Sequence, residues 1–172
     1  MEKTNIQVYI RPSQINKKIK ELAAKINKDY HNKTPIFIGI LNGSFIFLAD
    51  LIREIKVKCE IDFMKLSSYG DSKISSGEVK LLKDLNCNVK GRDIILVEDI
   101  IDTGLSMKYI VKLIKKEKPA SVRIATLLHK KEATKHNIRI DYTCFVIPNK
   151  FVVGYGLDFA QKYRNLKGIY VL

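Results

Sequence analysis

Glu98, Asp99 and Asp102 follow directly on the apolar run Ile94-Ile95-Leu96-Val97 and lead into Thr103-Gly104-Leu105-Ser106. A carboxylate beside a hydrophobic core is costly unless something compensates its charge. Three of them at the end of a buried strand therefore call for a chemical reason. Residues 102–106 supply half of one. A Thr-Gly turn entering a helix presents free backbone N–H groups, two hydroxyls and the positive end of the helix dipole, which together suit a phosphate. Capping of the helix by Asp102 or Thr103 is the local alternative. Glu98-Asp99 supply the other half. Adjacent carboxylates just upstream of a phosphate cradle can accept hydrogen bonds from sugar hydroxyls, with a metal ion offsetting their charge. An acidic pair alone would be solvated decoration; strand, pair and cradle together are specific.

Further candidates lie downstream. Phe151 followed by Val152 at a loop position offers an aromatic face for a flat base and a backbone carbonyl for an exocyclic donor; an ordinary core strand is the alternative. Lys130 could donate to a carbonyl oxygen on a base, or could simply be solvated within Lys130-Lys131. Arg164, beyond Asp158, could pair with a phosphate or with a surface carboxylate. His129 has no Ser or Cys motif beside it, and His136 is not at a metal-ligand spacing, so His129 reads as structural or solvent-facing. Neither GxxxxGK(S/T) nor GxGxxG occurs, which leaves P-loop and dinucleotide readings without support.

The elements that must position these residues follow from periodicity. Ser13 can cap a helix running to about residue 30, with Ile15, Ile19, Leu22, Ala23 and Ile26 on one face and lysines on the other. Residues 36–41 form a short apolar strand, 44 to about 54 a helix, and 57–66 a strand. Residues 67–77 are rich in Ser and Gly, as expected of a functional loop. A strand over 79–85, a buried strand over 93–97 and a helix through Met107, Ile110 and Ile114 ending before Pro119 come next. Strands over 122–128, 142–147 and 169–172 complete the pattern. Alternating strands and helices predict an α/β domain with a mostly parallel sheet, whose ligands bind beyond the carboxyl ends of the strands.

Composition bounds the class. At 172 residues, with 46% hydrophobic and 28% charged residues, the chain is expected to be one globular domain rather than a disordered or fibrous protein. The formal net charge of +13 gives a positive field suited to nucleic acid or small polyanions, although many lysines simply solubilise helix faces. Cys59, Cys87 and Cys144 are an odd number without CxxC spacing and read as reduced thiols. No apolar signal core follows Met1-Glu2-Lys3-Thr4-Asn5, and Asn42-Gly43-Ser44 interrupts the apolar stretch over 36–52. A cytoplasmic protein without a membrane span is expected.

Val97-Glu98-Asp99-Ile100-Ile101-Asp102-Thr103-Gly104 resembles the phosphoribosyl-pyrophosphate signature of type I phosphoribosyltransferases, most closely that of the hypoxanthine-guanine phosphoribosyltransferases. Three other stretches agree in order. Leu41-Asn42-Gly43-Ser44 resembles the family's pyrophosphate loop, Ser67-Ser68-Tyr69-Gly70 the start of its lid, and Ile147 to Asp158 its purine-binding segment. The resemblance implies a twisted, mostly parallel sheet flanked by helices, as a single domain over 1–172. Its core would span about 30–145, with a small hood from about 1–15 and 146–172 and a mobile lid over about 67–78. It implies magnesium-dependent purine salvage: transfer of the 5-phosphoribosyl group of phosphoribosyl pyrophosphate to N9 of hypoxanthine or guanine, giving IMP or GMP and pyrophosphate.

Site roles are implied in the same way. Asp102, Thr103, Gly104, Leu105 and Ser106 would wrap the 5-phosphate, and Asp102 would also act as general acid/base near N7. Glu98 and Asp99 would hold the ribose hydroxyls and magnesium. Leu41, Asn42 and Gly43 would bind pyrophosphate with their backbone, with a cis peptide before Asn42, and Arg164 would contact it. Lys130 would meet the 6-oxo group, Phe151 would stack, the Val152 carbonyl would meet the ring edge, and Asp158 would serve a second magnesium site. Ser68 and Tyr69 would close over the reacting centre. The family usually has Lys where this chain has Asn42, a loss that could weaken pyrophosphate binding, alter magnesium dependence or change a subunit contact. A homo-oligomer is implied. The alternatives are an RNA-binding regulator of the same fold, or a transferase preferring xanthine or a non-purine base.

Overall fold

Strands without a polar face must be covered on both sides, and the computed structural model, which describes residues 6–68, 79–83 and 85–172, is built around two of them. In chain order the elements are β1 (Gln7–Ile10), α1 (Pro12–Asp29), β2 (Ile36–Leu41), α2 (Phe45–Glu54), β3 (Glu60–Ser68) and β4 (Val79–Lys83). They continue with β5 (Asp93–Ile101), α3 (Leu105–Lys116), β6 (Ser121–His129), β7 (Tyr142–Val146), β8 (Val152–Val153) and β9 (Ile169–Val171). The main sheet has the order β4-β3-β2-β5-β6-β7. The pairs from β3 through β7 are parallel and β4 joins β3 antiparallel. A second sheet, β1-β9-β8, ties the two ends of the chain together with antiparallel pairs.

Side-chain alternation assigns the faces. Phe37, Ile95 and Val97 point to α1 and α2, packing with Ile15, Ile19, Leu22 and Phe47. Ile36, Ile38, Ile94 and Leu96 point the other way, onto Met107, Ile110 and Ile114 of α3. No helix among the described residues is long and apolar enough to cross a membrane. The three cysteines are free.

The structure moves several boundaries. The α1 helix begins at Pro12 with Arg11 as its N-cap, not Ser13, because proline suits the first helical position and the Arg11 N–H is taken by Gln14 Oε1 at 2.9 Å. The β5 strand does not stop at Val97 but runs on to Ile101, since β6 continues to pair with it as far as His129. The acidic pair thus lies inside the last turn of pairing, not after it. The loop expected over 67–77 falls largely outside the described residues, as does Tyr69; Ser67 and Ser68 end β3.

One buried carboxylate holds the sheet's edge together. Asp62 of β3, only 7% exposed, accepts the N–H groups of Phe63 (2.7 Å), Asn86 (2.6 Å) and Cys87 (3.0 Å), and Lys83 lies 3.4 Å away. Burial alone would raise its pKa, but the backbone donors outweigh that and hold it far below the ordinary value. Its contribution to stability is therefore complete above the unfolded pKa of about 3.9 and is lost as the pH falls below it. Asp62→Ala should lower the unfolding free energy at pH 7 by about 2–3 kcal/mol, because three part-buried N–H groups lose one shared acceptor. Denaturant titration should find that difference shrinking toward pH 3.

Candidate active site

The strand order places the site. From β2 the chain steps outward to β3 on one side, then returns so that β5 pairs with the other side of β2 and builds outward to β6 and β7. In an open α/β sheet the crevice at such a reversal is where ligands bind, beyond the carboxyl ends of the strands. Gly39 is level with Val97 in the β2–β5 pairing, so continuing the register brings the turn after Leu41 to the height of Asp99.

That approach is close. A Cβ on Gly43 would overlap the Asp99 carboxylate, so any other residue there would have to displace that side chain. The peptide between Leu41 and Asn42 is cis. The buried Ser44 hydroxyl donates to the Ile40 carbonyl at 2.6 Å and ties the turn back onto its strand. Gly156, with φ +100°, fits equally tightly from the other side: a Cβ there would strike the Gly43 carbonyl oxygen.

Glu98 and Asp99 are half-buried. The N–H of Asp99 is turned to Glu98 Oε1 (3.2 Å) and that of Ile100 to Asp99 Oδ1 (2.9 Å). After the pair the face assignment reverses, with Ile100 against the α1/α2 cluster and Ile101 against the α3 cluster. Burial, reinforced by the neighbouring Asp99 carboxylate, raises the Glu98 pKa well above the ordinary range; burial also raises that of Asp99, against which Arg164 acts as a nearby positive charge. Carboxyls with raised folded-state pKa favour the folded state when protonated and oppose it increasingly as the pH rises through their range.

Beyond β5, residues 100–107 and Glu98 line a cavity of about 160 Å³. Asp102, Thr103, Gly104, Leu105 and Ser106 are all on its wall. Gly104 caps α3 with φ +83°, a left-handed conformation that glycine adopts without steric cost, and makes no side-chain cap. Among the described residues the one contact resembling a cap is from the Leu105 N–H to Thr103 Oγ1, at 3.4 Å. The first-turn N–H groups and the positive helix end are thus left for an anion.

Lys130 is buried, at 7% exposure, and its ammonium donates to Asp102 Oδ2 at 3.1 Å. The register explains the meeting: Ile101 pairs with His129, so the next residue of each strand emerges side by side. The C-terminal segment makes its own set of contacts. Phe151 is 53% exposed and stands edge-on to Phe159, with ring centroids 5.7 Å apart. Val152 is buried and paired with Val171 in β8. Arg164 donates to the Gly156 carbonyl (2.7 Å) and pairs with Asp158 (2.8 Å), whose other oxygen accepts the Gln161 N–H. Among the described residues no hydrogen bond, ion pair or ring contact joins Phe151, Val152 or Asp158 to Lys130 or Asp102.

Comparison with known proteins agrees with this geometry. A family model described as phosphoribosyl transferase domain matches residues 11–160. The chain is 49% identical over 166 residues to the hypoxanthine-guanine phosphoribosyltransferase of Bacillus subtilis, covering 96% of this chain and 92% of that protein. The chain belongs to the phosphoribosyltransferase family. A solved hypoxanthine-guanine phosphoribosyltransferase from Bacillus anthracis superposes with a TM-score of 0.92 at 43% identity, over 96% of this chain and 98% of that one. The chain also matches 26% of the Bifunctional protein TilS/HprT of Listeria monocytogenes, at 46% identity over 166 residues.

Within the motifs already quoted, two contributions to this candidate site are visible only in the fold. Ser44 acts through a buried hydroxyl, and Gly156 through the space its missing side chain leaves for the Gly43 turn. The pattern Gly154-Tyr155-Gly156, with positive φ at all three residues, was the available signal for the second. Gly156→Ala should cost about 1–3 kcal/mol of stability from left-handed strain and overlap. Because the overlap is with Gly43, it should also depress turnover, as steady-state kinetics at a temperature where the variant stays folded would register.

Proposed function

We propose that this chain is a magnesium-dependent phosphoribosyltransferase that joins the 5-phosphoribosyl group of phosphoribosyl pyrophosphate to N9 of hypoxanthine or guanine. The observation that supports this most directly is the Lys130–Asp102 pair, standing at the ends of β6 and β5 beside the cavity of residues 102–106. A 6-oxopurine whose N9 is free to attack carries its proton on N7. One edge then presents an acceptor, O6, beside a donor, N7–H, to match the Lys130 ammonium and the Asp102 carboxylate, whereas adenine places an amino donor where O6 would be. The Lys130 ammonium has three N–H donors, one of them engaged by Asp102, so it can also serve O6. A 6-amino group there would face donors with donors.

The roles follow. Residues 102–106 bind the 5-phosphate with backbone N–H groups, and residues 41–43 bind pyrophosphate in the same manner. Asn42 lacks the charge that lysine usually brings there, which leaves the binding to the peptide groups. Glu98 and Asp99 face the ribose hydroxyls. They are hard oxygen donors, and magnesium is commonly held by one or two carboxylates together with substrate oxygens, so the pair fits that ion. Among the described residues no group of three or more His, Cys, Asp or Glu could hold a metal alone, so substrate oxygens or water would complete the set. Bound there, magnesium supplies charge neutralisation for the ribose and pyrophosphate oxygens.

As the bond from the anomeric carbon to pyrophosphate breaks, N9 forms its bond to that carbon, and the proton on N7 passes to the Asp102 carboxylate. Phe151 covers the ring face, the Val152 carbonyl meets its edge, and the β1-β9-β8 sheet acts as the hood over the base. Arg164 and Asp158 brace the Gly156 turn, and we assign them pyrophosphate and water-mediated metal contacts only once substrate displaces their mutual pair. Ser68 and Tyr69 begin the lid. The free thiols fit a cytoplasmic enzyme, and a homo-oligomer is the assembly we expect.

The test is direct. With magnesium and phosphoribosyl pyrophosphate, nucleotide should form from hypoxanthine or guanine and not from adenine or uracil; no turnover with any 6-oxopurine would sink the proposal. Asp102→Asn should reduce kcat by about 10²–10⁴, the range of a lost general acid/base, with substrate binding largely kept. A near-full rate in that variant would remove Asp102 from the chemistry.

A further inference from the structure

We propose that Thr134, on the turn after β6, is a positioning residue that aims the backbone N–H groups of the phosphate loop at their ligand. This rests on the reading of residues 102–106 as the 5-phosphate site. The carbonyls of three successive residues are gathered by one segment. Ile101 accepts from the Lys130 N–H (2.9 Å), Asp102 from the Thr134 hydroxyl (2.8 Å), and Thr103 from the N–H groups of Lys135 (3.0 Å) and His136 (3.2 Å). These peptides are trans, and in a trans unit the C=O and the following N–H point in opposite directions. Each carbonyl turned onto residues 130–136 therefore turns the next residue's N–H away from them. The N–H groups of Thr103 and Gly104 make no hydrogen bond among the described residues, and both residues line the 160 Å³ cavity.

Two of the three anchors are backbone N–H groups, which almost any residue could supply. The middle one is a side chain, and there residue identity decides the outcome. The Thr134 hydroxyl has one proton and three neighbours: the Asp102 carbonyl, the Lys130 carbonyl at 3.0 Å and His129 Nε2 at 3.1 Å. The Asp102 carbonyl is the nearer acceptor and takes the hydroxyl proton, and His129, with its proton on Nε2 or with both ring nitrogens protonated, donates to the hydroxyl oxygen. His129 thereby orients Thr134, and it can do so whether its ring is neutral or charged. The Thr134 methyl is placed to pack on the same loop: a Cβ on Gly104 would lie 3.4 Å from it and 3.1 Å from Ile138.

Thr134→Val keeps the branched shape and removes the hydroxyl; Thr134→Ser keeps the hydroxyl. Steady-state kinetics should show KM for phosphoribosyl pyrophosphate rising about tenfold in the valine variant, the size of one lost positioning hydrogen bond. KM for the base should stay unchanged and kcat should fall far less, with serine restoring the parent value. Inorganic phosphate, titrated by calorimetry into the same three proteins, should weaken by the same factor in the valine variant alone. An unchanged KM and phosphate affinity in Thr134→Val would overturn the proposal. So would a parallel loss of both KM values with a falling unfolding midpoint, which marks a merely structural residue. If the parent chain turned over no 6-oxopurine, the reading beneath would fail separately, and the phosphate titration would still decide whether Thr134 shapes an anion site.

Discussion

Glu98 and Asp99 occupy the end of a strand that is otherwise packed on both faces, and among the described residues no lysine or arginine forms an ion pair with either. Their charge is a cost to the free protein, since burial favours the protonated form of both and the Asp99 charge further favours that of Glu98. A sheet built for stability alone would place apolar or single hydrogen-bonded residues there. The arrangement makes sense as a site completed from outside, where a cation and the hydroxyls of a sugar provide what the chain withholds. Stability given up at a binding site is a common condition of function.

Everything around the pair is placed by strand register. The β2–β5 pairing brings the Gly43 turn to Asp99, and the β5–β6 pairing delivers Lys130 to Asp102. Both contacts join residues distant in sequence through parallel neighbours, at the crevice where strand order reverses. Glycine at 43 and 156 then lets backbone approach where side chains would collide, and glycine at 104 allows the left-handed turn into α3. The site's polar atoms are consequently mostly peptide groups, whose orientation is governed by where the opposite end of each peptide is anchored.

Much of this was legible in the residues. The alternation of apolar strands and helices gave the layered architecture, and the run from Val97 to Gly104 pointed to a sugar-phosphate site. The reach of β5 was not legible, because a change from isoleucine to carboxylate looks like a strand's end, while only pairing with β6 shows the backbone continuing. The short strand β1 escaped for a similar reason, since four residues carry little periodicity and its partner is β9 at the far end of the chain; at Val152–Val153 it is the strand alternative to a loop position that holds, as β8. The start of α1 was misplaced by weighing Ser13 above Pro12. Lys130 reads as one of two adjacent lysines, and its burial against Asp102 is a property of the fold.

The central claim is that the acidic pair destabilises the free protein and is satisfied by magnesium with phosphoribosyl pyrophosphate. Thermal unfolding of the parent chain and of the double variant Glu98→Gln, Asp99→Asn, each with and without that ligand, tests it most directly. At a hundredfold excess over Kd the ligand should add about 2.7 kcal/mol to the parent, a rise of roughly 5–10 °C for a chain of this size. The double variant should be at least as stable as the parent on its own and should lose most of that rise. A double variant less stable than the parent, or one showing an undiminished ligand shift, would contradict it.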